Sequence, residues 1–253
     1  MNSALVGLIV FAFALGAALA GIDLHGKLPS QHKEADSKEV VKLVMGLIAT
    51  IAALVLGLLI ATANSSYQTQ ESEVQALGVR IVQLDQILAH YGPEAEEARG
   101  LLRQIVVNEL AQIWPKDGTA GVNLRAPMEQ DAGEKLIGRV ANLAPTTDAQ
   151  RFARGRALEL LTAVAETRRL LYEQAGGSLS WPFFVVLVFW LIVLFLGFGF
   201  LTRPNATVVT ALFVGALSVA GAIFLILEMN RPYSGVMQIS SAPIRSALAA
   251  ISH

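Results

Sequence analysis

The chain has 253 residues, with 19 Lys and Arg against 20 Asp and Glu, and no cysteine. A net charge of −1 leaves no basic stripe for a phosphate backbone, which argues against nucleic acid as a partner, and the missing thiols exclude disulfides, a thiolate nucleophile and zinc–thiolate sites. Hydrophobic residues make up 54 % and charged residues only 15 %, with mean hydropathy +0.53, whereas soluble domains run near about 25 % charged.

Crossing roughly 30 Å of hydrocarbon takes about 20 mostly apolar residues. Residues 4–22, 43–63, 182–201 and 207–227 qualify as spans. Lys42 precedes the second, Trp181 stands at the mouth of the third and Glu228 follows the fourth, as interfacial anchors do. Ala18-Leu19-Ala20 mimics a signal-peptide cleavage site, but no Lys or Arg precedes the apolar run, so a retained span is expected.

After the second span, Val74, Leu77, Ile81, Leu84, Leu88 and Tyr91 alternate steps of three and four, a heptad seam that has to be buried. One long helix is expected from Ser37 to Tyr91, about 80 Å at about 1.5 Å per residue. Gly92 stops it and Pro93 opens the next helix, which buries Ala98, Leu101, Leu102, Ile105, Leu110 and Ile113 and ends at Pro115. Residues 116–127 read as a loop and 128–143 as a short helix. A last soluble helix, capped by Thr147 or Asp148, runs to Gly176-Gly177. The resulting fold is all-α: a polytopic membrane protein with a helical soluble domain between spans two and three. Its sections are 1–63 (spans one and two), 64–180 (soluble domain), 181–229 (spans three and four) and 230–253 (C-terminal tail).

Four spans put both termini and residues 64–180 on one side. Charge does not choose that side: Arg80, Arg168, Arg169, Arg231 and Arg245 balance Lys27, Lys33, Lys38, Lys42 and Arg203 on the other.

Chemistry-bearing motifs are sparse. Gly21 to Lys27 resembles a phosphate-binding loop, but Leu28 stands where a Ser or Thr would hold magnesium, and a Gly-bearing loop is the better reading. His25, His32, His90 and His253 lack ligand spacing; His25 and His32 with Asp23 or Asp36 belong to a solvated loop, and His90 caps the long helix. Glu96-Glu97 lies on a charged helix face, and the sequon Asn64-Ser65-Ser66 sits at a membrane edge. No cofactor, metal or catalytic constellation emerges, so an enzyme is not expected. The spans hold no ionisable residue, which disfavours coupled transport and leaves a passive pore open. Small residues four apart (Gly16 and Ala20, Ala17 and Gly21, Ala211 and Gly215, Ala216 and Ala220) predict close helix packing.

Two segments carry a family resemblance. One is residues 54–70 (LVLGLLIATANSSYQTQ) running into 81–94 (IVQLDQILAHYGPE). The other is the post-span stretch Glu228-Met229-Asn230-Arg231-Pro232-Tyr233-Ser234-Gly235, followed by Ser241-Ala242-Pro243. Together they resemble the bacterial bestrophin-like domain family. Asn230 and Tyr233 stand where that family more often has Asp and Phe. The layout is similar to that of bestrophins, pentameric anion channels with cytosolic termini and an apolar neck on the second span. The resemblance implies a homo-oligomer in the bacterial inner membrane, with 64–180 and both termini cytoplasmic. It implies a path for a small anion past neck residues Thr50, Leu54 and Leu58, with Thr50 where an apolar residue is usual. Two alternatives stay open: Leu54 and Leu58 as ordinary packing residues, and a non-conducting membrane scaffold that binds a protein partner.

Overall fold

Uncharged apolar runs of span length leave a backbone one way to satisfy its hydrogen bonds in hydrocarbon, and each of the four runs is helical. The structure, a computed structural model, describes residues 2–27, 35–114, 130–175, 181–202 and 205–252. Residues 116–127, Gly176-Gly177, His32, Lys33, Arg203 and His253 lie outside the described residues, as do the side chains of His25, Lys27, Lys38 and Trp181. In chain order the elements are α1 (Ser3–Lys27), α2 (Ala35–Tyr91), a 3-10 turn (Pro93–Ala95), α3 (Glu96–Ile113), α4 (Gln130–Ala141), α5 (Asp148–Ala175), α6 (Trp181–Leu201), α7 (Ala206–Met229) and α8 (Ala242–Ile251). There is no strand among the described residues. The protein is therefore an all-α polytopic membrane protein.

Two compact units form. A membrane unit comprises residues 1–66 and 178–230, and a helical unit comprises residues 67–177 and 231–253. Helix α2 supplies its first half to one and its second half to the other. From Arg231 on the chain belongs to the helical unit, where Ile244, Ala247 and Ile251 recur on one face of α8 and are buried.

The membrane unit packs Val6 and Val10 of α1, Met45 and Ala52 of α2, Leu187, Leu191 and Leu194 of α6 and Ile223 of α7 into one cluster. Phe11 meets Phe213 edge to face, with ring centroids 5.3 Å apart. The closest approach is between α1 and α6. A methyl group on Gly21 would overlap the Leu196 carbonyl oxygen, and one on Gly199 would overlap that of Ala18. The expected role of Gly21 in close packing is seen, whereas Gly16 faces open space. Gly21 also corrects an expectation. The supposed Gly-bearing loop from Gly21 is the last part of α1, which runs on to Lys27. Glycine packed against a neighbouring span keeps the helix intact where a solvated glycine would break it.

In the helical unit every residue of the α2 seam is buried, from Leu84 at 0 % exposure to Leu77 at 6 %. It packs on Ala98, Leu102 and Val106 of α3, Leu136 and Val140 of α4, Ala157, Leu160 and Leu161 of α5, and Ile244 and Ile251 of α8. Leu101, Ile105, Leu110 and Ile113, expected in the core, are only partly buried at its edge. Gly92 ends α2 with φ +127°, a conformation that favours glycine. Thr147 closes a capping box on α5: its Oγ1 accepts from the Gln150 amide (3.2 Å), and Gln150 Oε1 accepts from the Thr147 amide (3.3 Å). The Gln150 side chain also donates to the Tyr91 carbonyl (3.0 Å), tying α5 to the end of α2.

Two ion pairs lie inside this unit. Arg99 donates to both oxygens of the buried Asp85 carboxylate, at 2.9 and 3.0 Å. Those hydrogen bonds raise the guanidinium above its ordinary value, against the opposing effect of burial. Arg168 pairs with Glu109, and both side chains are largely enclosed.

The α1–α6 crossing yields a direct test. Replacing Gly199 by Ala should cost about 1–3 kcal/mol, because the added methyl has no room and backbone has to shift. Replacing Gly16 by Ala should stay within about 0.5 kcal/mol. Thermal unfolding of the two variants in detergent reads the difference.

Candidate functional site on the second span

Helix α2 is the least enclosed of the four spans. Only 11 % of its apolar window is buried, against 33 % for α1 and α6. Met45, Ala52 and Ala63 mark its buried face. The opposite face is open and holds all three neck candidates. Leu54 is 69 % exposed, Leu58 is 67 % exposed, and Thr50 lies one turn before them. Positions i, i+4 and i+8 drift only modestly around a helix, so the three form a stripe.

The chemistry of that open face differs from that of the other spans. On α1 and α6 the exposed positions include Leu8, Phe13, Phe183 and Phe189, bulky residues suited to lipid tails. On α2 the leucines alternate with Thr50, Gly57, Ala61, Thr62 and Ser65, all exposed. A methyl group on Gly57 would meet nothing within 4 Å. The Thr50 hydroxyl donates to the Gly46 carbonyl (2.9 Å) and that of Thr62 to the Leu58 carbonyl (2.8 Å). Each hydroxyl proton is thus spent inside the helix, leaving only lone pairs towards the open side.

The post-span motif divides by role. Glu228 is 4 % exposed in the last turn of α7. Asn230 closes that helix: its backbone amide (3.2 Å) and its side-chain Nδ2 (2.8 Å) both donate to the Ile226 carbonyl. An ionised aspartate there would have no proton to donate. Arg231 is exposed and Pro232 buried at the start of a turn in the helical unit. There the Ser234 amide donates to the Arg231 carbonyl (3.1 Å), the Ile239 amide donates to that of Pro232 (2.7 Å), and Gly235 takes φ +102°. Tyr233 is buried with its ring edge to face against Trp114, centroids 5.8 Å apart. Trp114 Nε1 donates to the Ile239 carbonyl (2.9 Å).

No group of three His, Asp or Glu placed to hold a metal occurs among the described residues. His90 Nδ1 donates to the Gln86 carbonyl (2.7 Å) in the last turn of α2, the capping role its position suggested. Sequence reasoning missed Gly199 and the Asp85–Arg99 pair. Gly199 belongs to a Gly-Phe-Gly step rather than a four-residue one, and residues 85 and 99 lie on different helices.

A family model described as the Bestrophin-like domain matches residues 11–244. No curated protein matches the chain. A crystal structure of a bacterial bestrophin homologue from Klebsiella pneumoniae, carrying a point mutation, is similar over 97 % of this chain and 97 % of that one. The two share 12 % identity, and the TM-score is 0.65. At that identity the likeness is one of fold.

Asn230→Asp should lower stability by about 1–2 kcal/mol. It removes a donor to Ile226 and sets a negative charge at the negative end of the α7 dipole. Melting in detergent at neutral pH checks the loss. Because the penalty comes from the charged form, it should shrink as the pH falls through the carboxylate range.

Proposed function

The chain belongs to the bestrophin-like family, and from that premise we propose that it is a homo-oligomeric, passive anion channel of the bacterial inner membrane whose path is lined by the open face of α2. The supporting observation is the stripe Thr50, Leu54 and Leu58, left uncovered by α1, α6 and α7. Several copies around an axis turn each residue into a ring, and a pentamer follows the bestrophin pattern. Two adjacent leucine rings form a dry constriction in which an ion sheds water and gains no ligand, the barrier of a hydrophobic gate. Thr50 does not relieve that barrier, since its proton is bound to Gly46 and an anion needs a donor. The absence of charge along the spans fits a passive path rather than a coupled one. This is transport without chemistry, so no catalytic residue is assigned.

Both termini and residues 64–180 are proposed to be cytoplasmic. The chain has no cysteine, so single ones report sidedness cleanly. In intact cells a membrane-impermeant thiol reagent should label Ser37→Cys and spare Gly118→Cys and Ser252→Cys. The reverse pattern inverts the topology.

Conduction is tested at the leucines. Leu54→Ala or Leu58→Ala widens a ring and lets water persist. Chloride or iodide flux into liposomes should rise several-fold over wild type. If wild type and both variants pass no more anion than empty liposomes, with oligomer size and folding unchanged, a non-conducting scaffold replaces the channel.

A further inference from the structure

The membrane unit contains an apolar crevice of about 680 Å³ between α2, α6 and α7. No residue of α1 lines it, and neither does Leu54 or Leu58. We propose that this crevice is a binding site for one phospholipid with an anionic headgroup, the acyl chain lying along the walls and the phosphate meeting Lys42.

The crevice exists because its lining is small where helices would otherwise touch. Met45 of α2 packs so closely on α6 that a methyl on Gly197 would sit 2.6 Å from its Sδ. Next to that contact the walls recede to Gly46, Ala211 and Gly215. A methyl on Gly46 would meet nothing within 4 Å, and one on Gly215 would reach only the Phe195 ring edge at 3.6 Å. Phe195 and Phe198 of α6 add aromatic surface to the lining. The volume falls in the roughly 300–1,000 Å³ range of sites that enclose a small amphiphile.

Charge at the rim selects the headgroup. Lys42 is the one charged residue lining the crevice, and no carboxylate lines it among the described residues. It is exposed and directly precedes the apolar run of α2, at the depth where a phosphate lies. Helix α7 begins at the same end with Ala206 and presents the positive end of its dipole beside Val208, another lining residue. The Thr202 hydroxyl at that rim already donates to the Phe198 carbonyl, so the lysine is the available donor. A phospholipid fits both halves of this description and is present at that depth in every membrane. A span of a second copy would fill the walls but leave the lysine without an anion, because the four spans carry none.

The test uses the full chain reconstituted in vesicles of equal phosphatidylglycerol and phosphatidylcholine. The chain is re-extracted in mild detergent, and mass spectrometry measures the retained lipid. Wild type should retain phosphatidylglycerol enriched about fivefold, the preference one basic residue near an anionic headgroup supplies. Lys42→Gln should erase the preference while Lys42→Arg keeps it. Ala211→Phe, or Gly46→Leu should the first fail to fold, should reduce retained lipid of both kinds by filling the walls. Unchanged enrichment in Lys42→Gln, or unchanged retention in the filled variants, overturns the proposal. So does efficient Gly46→Cys cross-linking between copies, which would assign the crevice to a subunit interface. None of these readouts requires conduction, so a non-conducting protein would still pass or fail this test.

Discussion

Hydrocarbon offers no hydrogen-bond partner, so every polar group in the four spans has to find one within its own helix. Four hydroxyls in the spans follow that rule. Thr50, Thr62, Thr210 and Ser218 each donate to the carbonyl four residues earlier, at 2.8–2.9 Å. This leaves the spans as smooth apolar cylinders held together by shape alone, which is why glycine positions matter more than in a soluble core. At Gly21 and Gly199 backbone meets backbone, and the packing of α1 on α6 depends on that contact. The same constraint gives the open face of α2 its meaning: polar hydroxyls there are quenched, and leucine remains the dominant surface.

Helix α2 joins two energetic regimes in 57 residues. Its first part buries little more than Met45, Ala52 and Ala63. Its second part buries the whole seam from Val74 to Tyr91 against α3, α4, α5 and α8. The difference has a physical cause. In water an apolar stripe has to be covered by its own chain, whereas in a membrane lipid or a second copy covers it at no cost. A span this open, with glycine and threonine among its leucines, is what a channel-lining helix shared between copies would present.

Much of this was legible in the sequence because it is periodic. The four spans follow from run length, and all six seam residues from steps of three and four. Gly92-Pro93 and Thr147 announced their helix ends through backbone chemistry that does not depend on tertiary context. Less was legible where the answer depends on neighbours. Gly16 and Gly21 look alike in sequence, yet only Gly21 meets another helix. The run from Gly21 to Lys27 reads as a Gly-bearing loop in sequence and is the last part of α1 in the structure. Ile244, Ala247 and Ile251 lie three and four residues apart, but that their face of α8 is buried shows only in the packed helical unit. For the candidate neck, periodicity put Thr50, Leu54 and Leu58 on one face, but only the packed spans reveal that this face is the open one.

The central claim is that this open face looks onto other copies of the chain rather than onto lipid. Cysteine cross-linking in native membranes tests it most directly. Leu54→Cys is compared with Leu8→Cys, an exposed position on α1. With a short bifunctional thiol reagent, Leu54→Cys should give reducible oligomers of this chain in denaturing gels, and Leu8→Cys should remain monomeric. Oligomers from Leu8→Cys alone, or none from either while both thiols still react with a lipid-soluble reagent, would contradict the account.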